Sequence, residues 1–140
     1  MDDKLAAWNA KEGDYPSKKS IEEKIRFLLR YAVLAPSGPN IQPWKVYLRE
    51  NEVTLMADFS RSLPNVDTNN RTLFMSNGCF LANLLIAAEH FGFGYDIEYL
   101  PDGTESDKIA VIGFDEGEGA KKFPDLFNAI TRRHTNRKPY

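Results

Sequence analysis

The basic residues near the end of the sequence have the chemistry of an anion site. The stretch "TRRHTNRKPY", residues 131 to 140, sets Arg133, Thr135 and Arg137 at alternate positions with no acidic residue among them. A guanidinium group pairs with phosphate oxygens through two parallel N–H groups, and a threonine hydroxyl can add a hydrogen bond. The spacing therefore suits a phosphate dianion, although taken alone it favours a solvated basic helix end.

A second polar cluster lies in "APSGPNIQPW", residues 35 to 44. Ser37, Asn40 and Gln42 offer several hydrogen-bonding groups on one short segment that prolines stiffen. They could read the polar edge of a flat heteroaromatic ligand. The residues equally suit a rigid turn, in which Gly38 permits an unusual backbone and Asn40 bonds its own main chain. The residues alone leave both interpretations open.

The composition predicts one globular domain and excludes several classes of function. The chain has 140 residues, a formal net charge of −2 and a single cysteine, Cys79. It therefore has no global basic field for nucleic acid or anionic lipid, no internal disulfide and no cysteine cluster for a metal. The opening residues do not form a secretory signal, and no apolar run is long enough to span a bilayer. We expect no nucleic acid, membrane or metal partner and a cytoplasmic location.

Helical and strand patterns flank the proline-rich segment. Residues 1–19 form an arm without periodicity, in which Trp8 and Tyr15 are candidate anchors. Ser20 and Glu23 make a capping box, and apolar residues at helical spacing predict a helix over 21–34. After the proline-rich segment, "WKVYLRENEVTLMAD" alternates apolar and polar residues and predicts a β-hairpin with one buried face.

A long apolar helix dominates the second half of the pattern. The run "RTLFMSNGCFLANLLIAAEHFGFG" is apolar nearly all round and ends at glycines, which predicts a central buried helix. "YDIEYL" and "KIAVIGF" read as two further strands, and "PDLFNAITRR" as a short amphipathic helix. These elements would have to bring the two polar clusters together.

Several of these stretches resemble the nitroreductase family of flavin enzymes. "LLRYAVLAPSGPNIQPWKVYL" is similar to that family's helix, A-P-S-x-x-N-x-Q-P-W loop and strand, and "RHTNR" to its phosphate motif. "NGCFLANLLIAAEHFGFG" and "KIAVIGF" resemble the central helix and the strand after it. The resemblance covers most of residues 20–140. It implies an α+β sandwich, with a mixed β-sheet, a long central helix and flanking helices.

The resemblance also implies a cofactor and the residues that bind it. It implies FMN at a dimer-like interface, where one subunit supplies the loop over the flavin ring and the other the group on the phosphate. Arg133, Thr135 and Arg137 would hold the phosphate. The loop residues Pro36, Ser37, Gly38 and Asn40 would line the ring, with Gln42 supporting the loop. No side chain is expected to be catalytic, because the flavin carries the chemistry.

The order of the motifs departs from the family pattern. The phosphate motif opens ordinary members, whereas here it stands at residues 133–137. This order resembles a duplicated, single-chain branch in which the second half begins with that motif. The sequence then divides into an arm (1–19), a nitroreductase-like half-domain (20–114) and a segment (115–140) that includes the start of a second repeat. A further departure is Tyr99, a bulky ring where the family has a small residue near the flavin.

Together these features predict an FMN-dependent oxidoreductase of nitroreductase type. Electrons would pass from NAD(P)H through the flavin to a nitroaromatic, a quinone or a similar small-molecule acceptor. The chain would work as a homodimer or with a second half. The alternative is a non-catalytic flavin-binding or dimerisation half-domain. A basic module for nucleic acid is disfavoured by the acidic charge balance.

Overall fold

The computed structural model describes residues 7–119 and 124–139. Within these ranges the chain forms three α-helices and four β-strands. In chain order they are α1 (Ile21–Ala32), β1 (Trp44–Arg49), β2 (Glu52–Ala57), α2 (Arg71–His90), β3 (Phe93–Tyr99), β4 (Lys108–Glu116) and α3 (Pro124–Arg132). This confirms the predicted α+β class, the hairpin, the long central helix and the flanking helices.

Helix α1 begins where the capping box predicts. The Ser20 hydroxyl accepts a hydrogen bond from the Glu23 N–H, and the Glu23 carboxylate accepts one from the Ser20 N–H, both at 3.3 Å. These two bonds satisfy N–H groups that the first turn cannot pair internally. The helix buries the stripe that holds Ile25, Leu28 and Tyr31. It ends at Ala32, two residues before the predicted end.

The sheet is antiparallel throughout the described residues, so the predicted mixed sheet is wrong. The strand order is β1-β2-β4-β3, and all three neighbouring pairs are antiparallel. A two-residue turn joins β1 to β2, which allows only antiparallel pairing. Strand β4 then inserts between β2 and β3. Its Ile112 lies opposite Val53 on one side and Ile97 on the other, so apolar residues form a row across the sheet.

Helix α2 is the centre of the core. It packs on α1 and on strands β2 and β3, and it buries apolar side chains along its length. Leu73, Phe80 and Leu84 have no exposed surface, and Phe80 contacts the Trp44 ring at 5.1 Å between centroids. Burial of three such side chains contributes several kcal/mol to folding, at roughly 1.5–3 kcal/mol each. The central buried helix predicted from the sequence is confirmed.

The prediction that no apolar run could span a bilayer is wrong by length and composition. Helix α2 has 20 residues and is long and apolar enough to cross a membrane by length and composition alone. However, 50% of its most apolar 18-residue stretch is buried inside the protein. A helix apolar on nearly all sides is also what a protein core requires.

The N-terminal arm and α3 close over one end of α2. The Tyr15 ring stacks on Phe91 at 4.4 Å, and the His90 ring stacks on Phe127 of α3 at 3.6 Å. His90 Nε2 also lies 2.7 Å from a carboxylate oxygen of Glu12. The arm is therefore anchored to the core, and α3 is held where its end can reach α1.

Two glycines around α2 test the backbone requirements of this helix. Gly78 lies within the helix, Gly92 has φ +82° just beyond it, and a β-carbon would meet no atom within 4 Å at either position. We expect Gly78→Ala to stabilise the fold by about 0.5–1 kcal/mol, because alanine restricts the unfolded chain more. Gly92→Ala should destabilise it by about 1–2 kcal/mol, the cost of a β-carbon in the left-handed region.

Urea unfolding of the two variants measures both effects. The paired substitution is its own control, since the same methyl group is added in open space each time. Equal effects of the same sign would contradict the described helix end.

Candidate functional site

The loop between α1 and β1 has a backbone that its surroundings hold in place. Asn40 has φ +60° and Gln42 φ +50°, a region that is unfavourable for residues with a β-carbon. The Ser37 hydroxyl accepts a hydrogen bond from the Gln42 N–H at 3.0 Å, which closes the loop on itself. Such strained positions persist only where neighbouring structure determines them. The loop is therefore a rigid turn, although the Ser37 hydroxyl closes it and the Asn40 side chain accepts from the Gln42 amide instead of bonding its own main chain.

Gly38 lies directly against the first turn of α2. Its N–H donates a hydrogen bond to the Ser76 hydroxyl at 3.3 Å, and a β-carbon would collide with the methyl group of Thr72. A side chain here would force the Thr72 side chain to move, so close packing favours a glycine at this position.

Two polar side chains hold the other end of the loop. The Arg61 guanidinium donates to the Ile41 carbonyl at 3.1 Å, and the buried Asn77 amide donates to the Pro43 carbonyl at 2.9 Å. Asp58 pairs with Arg61 at 3.4 Å and so fixes the guanidinium in turn. Asn40 and Gln42 therefore project from a frame built by α2 and by the segment after β2.

The basic motif after α3 reaches back to the end of α1. Arg133 donates one hydrogen bond to the Leu34 carbonyl at 2.9 Å and another to the Thr135 hydroxyl at 3.1 Å. Its guanidinium also lies 5.9 Å from the centroid of the Trp8 ring. The Arg133 Nε is buried without a hydrogen-bond partner among the described residues. A buried donor of this kind costs about 1–3 kcal/mol, so an additional acceptor there would stabilise the protein.

The loop and the basic motif share one cavity. Its volume is about 440 Å³, which lies within the size range of small-molecule sites. It is lined by Ala7, Trp8, Val33, Leu34, Ala35, Asn40, Gln42, Arg133, His134, Thr135 and Arg137. Among the described residues, two arginines and no carboxylate line it, so the charge of this lining is positive although the whole chain is acidic. Five of the eight predicted site residues therefore meet here.

The other three predicted residues face elsewhere. Pro36, Ser37 and Gly38 line a shallow groove of about 170 Å³ on the far side of the loop, against Thr72, Met75, Ser76 and Cys79 of α2. The structure thus brings Asn40 and Gln42 to the basic motif but not the beginning of the same loop. Tyr99 is 63% exposed at the end of β3 and does not line the basic cavity.

A second cavity has the opposite charge. It measures about 370 Å³, and four carboxylates line it, those of Glu89, Asp96, Asp115 and Glu118, with no basic residue among the described residues of its lining. Burial, with a hydrogen bond to Glu89, raises the pKa of Tyr95 in its wall to about 12, so the phenol stays protonated and donates to that carboxylate. An anionic ligand would be repelled here, whereas the basic cavity would attract it.

Two proteins that are similar to this chain are named as nitroreductases. A protein of Mycobacterium tuberculosis named "Putative NAD(P)H nitroreductase" is 30% identical over 118 residues, which are 84% of this chain and 34% of that protein. A "Probable NAD(P)H nitroreductase" of Serratia is 28% identical over 131 residues, 86% of this chain and 35% of that protein. Over most of its length the chain is therefore similar to proteins named as NAD(P)H nitroreductases. It spans about a third of the length of these relatives.

A solved structure has a fold similar to that of this chain. The crystal structure named "Putative NADH Oxidase" from Clostridium acetobutylicum matches with a TM-score of 0.57 and 22% identity, over 89% of this chain and 93% of that one. No family model matches the sequence. The resemblance predicted from the loop and the basic motif is confirmed by the relatives.

Sequence reasoning missed two parts of the cavity. The sequence indicates Trp8 only as a candidate anchor of the arm, whereas its ring stacks on His134 with 4.9 Å between centroids. The Leu34 carbonyl that receives Arg133 belongs to the backbone, so its residue type carried no signal. In the sequence, Trp8 stands out only as an aromatic residue in a largely polar arm.

Asp58 gives the loop frame a pH dependence. Hydrogen bonds from Ser60, together with the Lys45 ammonium, lower the pKa of Asp58 despite its burial. A carboxyl group with a lowered pKa stabilises the fold above its unfolded pKa, near 3.9, and loses that contribution as the pH falls through the folded value. Asp58→Asn should therefore lower the unfolding midpoint at pH 7, and the difference should shrink as the pH falls below about 4. Equal differences at pH 7 and pH 3, measured by urea unfolding, would rule this out.

Proposed function

We propose that this chain forms the flavin site of an FMN-dependent NAD(P)H oxidoreductase of nitroreductase type. One observation carries the proposal: the polar loop and the basic motif, far apart in the sequence, line the same positively charged cavity. The relatives named NAD(P)H nitroreductases support the class of reaction. Because the chain spans about a third of those relatives, the activity of the whole protein is part of the proposal.

The residues of the cavity fit FMN in charge and hydrogen bonding. Arg137 is exposed at the cavity and makes no ion pair with a described residue, so its guanidinium is available to a phosphate. Arg133 adds positive charge, and Thr135 adds a hydroxyl. The amides of Asn40 and Gln42 can donate to and accept from the polar edge of the isoalloxazine ring. Each of these five side chains thus has a complementary part of FMN.

The role of the protein residues is to bind and orient the cofactor. When bound, FMN supplies the redox chemistry, by accepting hydride from NAD(P)H and passing electrons to a nitroaromatic, a quinone or a similar acceptor. The rigid loop fixes the position of Asn40 and Gln42, while the arginines neutralise the phosphate. None of these residues has to transfer a proton.

A second candidate function follows from the residues outside the cavity. Pro36, Ser37 and Gly38 face a groove beside Met75, which is 59% exposed. If these residues contact the ring, a second copy of the chain or a second half would have to complete that side and the sandwich expected from the resemblance. The chain would then be a flavin-binding or dimerisation half-domain that does not catalyse turnover alone.

Flavin retention tests the proposed site. We expect protein purified with added FMN to keep its yellow absorbance after desalting, and Arg133→Ala/Arg137→Ala to lose it. Each charged hydrogen bond is worth roughly 1.5–3 kcal/mol, so each substitution should weaken binding by about tenfold or more. Arg132→Ala is the matched control, because Arg132 is exposed and lines a different hollow with Asp125. Flavin retention by the double variant would contradict the proposed site.

Anaerobic addition of NADH or NADPH then separates the two functions. Bleaching of the bound flavin followed by reoxidation with a quinone supports the oxidoreductase. Retained flavin that neither nucleotide bleaches supports the non-catalytic half-domain.

A further inference from the structure

We propose that Trp8 is a positioning residue that holds the basic motif in place, so that the N-terminal arm forms a wall of the cavity. The identity of the ligand in this proposal rests on the proposed function, but the contact between the arm and the motif does not. No motif in the arm predicts this role, since residues 1–19 carry no periodicity.

The ring of Trp8 contacts two consecutive residues of the basic motif. It stacks on His134 with 4.9 Å between centroids and 25° between planes, and the Arg133 guanidinium lies 5.9 Å from its centroid. Tryptophan is the aromatic side chain that attracts a cation most strongly. All three residues line the cavity, so the contact forms part of its wall.

The motif depends on such contacts because it lies outside regular structure. Helix α3 ends at Arg132, and residues 133–137 that follow are neither helix nor strand. Three contacts within the described ranges tie this segment to the N-terminal arm or to the loop after α1. They are the Trp8–His134 stack, the Arg133 guanidinium over the Trp8 ring, and the hydrogen bond from Arg133 to Leu34. Loss of the ring would leave the guanidinium with more rotamers and the segment with more freedom.

The arm itself is fixed at a second point, which gives Trp8 a rigid base. Tyr15 stacks on Phe91 beside the end of α2. Ala10, which lies between Trp8 and Tyr15 in the sequence, is buried. The arm therefore carries Trp8 from the core to the motif. The guanidinium of Arg133 is held by a carbonyl, a hydroxyl and a ring, and it is oriented before a ligand arrives.

The preorientation of Arg133 should strengthen the binding of a phosphate more than the binding of the flavin ring. Riboflavin has the same ring as FMN but no phosphate, so the ratio of the two affinities measures the phosphate contact alone. We expect Trp8→Ala to weaken FMN binding by roughly three- to thirtyfold, the range of a cation–π contact, with a smaller change for riboflavin. Trp8→Phe should restore most of the ratio and Trp8→Leu should not, because only phenylalanine keeps a ring face.

Flavin fluorescence titrations of the full chain with FMN and with riboflavin measure these ratios. Trp44→Phe is the control for a general loss of stability, since Trp44 contacts Phe80 in the core and does not line the cavity. It should leave the ratio unchanged. An unchanged ratio in Trp8→Ala would overturn the role of Trp8 at the phosphate.

Trypsin digestion without a ligand tests the contact separately. The motif offers cleavage sites after Arg133 and Arg137, and faster cleavage there in Trp8→Ala than in Trp44→Phe supports the proposal. Equal cleavage rates in the native protein and Trp8→Ala would overturn it. If the native protein binds neither FMN nor riboflavin, the proposed function fails, and the digestion alone decides whether Trp8 positions the motif.

Discussion

The hydrogen bond from Arg133 to the Leu34 carbonyl joins two segments that lie 99 positions apart. Without it, the loop after α1 and the motif after α3 would have no direct polar contact in the described structure. Its formation requires α3 to pack on α2 and α1 to end near Ala32, because only then does the Leu34 carbonyl face the motif. The cavity is thus a consequence of how the three helices pack, and the sheet acts mainly as the base on which they rest.

The distribution of charged side chains determines which of two cavities would attract an anion. The chain as a whole carries a formal net charge of −2, yet two of its cavities have described linings of opposite charge. Carboxylates surround one, and Arg133 and Arg137 line the other. Helix α2 offers no competing anion site at its first turn, because the Asp67 carboxylate already accepts hydrogen bonds from Thr72 and Leu73 N–H groups. An anionic ligand would therefore be attracted to the cavity between the loop and the motif rather than to the acidic cavity.

Local signals predicted the elements well because they depend on neighbouring residues. The capping box at Ser20 and the alternation around the hairpin act within a few positions, and both the helix start and the hairpin form as predicted. The antiparallel sheet was missed because the insertion of β4 between β2 and β3 depends on tertiary packing. The proximity of Asn40 to Arg133 could be expected only from the family resemblance, which implied that the two come from different subunits. In this structure one chain supplies both residues to the same cavity.

The central claim, that one chain supplies both sides of the site, is tested by mixing two defective proteins. Asn40→Ala/Gln42→Ala lacks the loop side and Arg133→Ala/Arg137→Ala lacks the motif side; the two are unfolded together, refolded as a mixture with FMN and desalted. If each site is built within one chain, no combination restores it and the mixture should stay as colourless as either variant. If the sites form across two copies, random pairing would restore up to roughly a quarter of them, and recovered flavin absorbance would contradict the account.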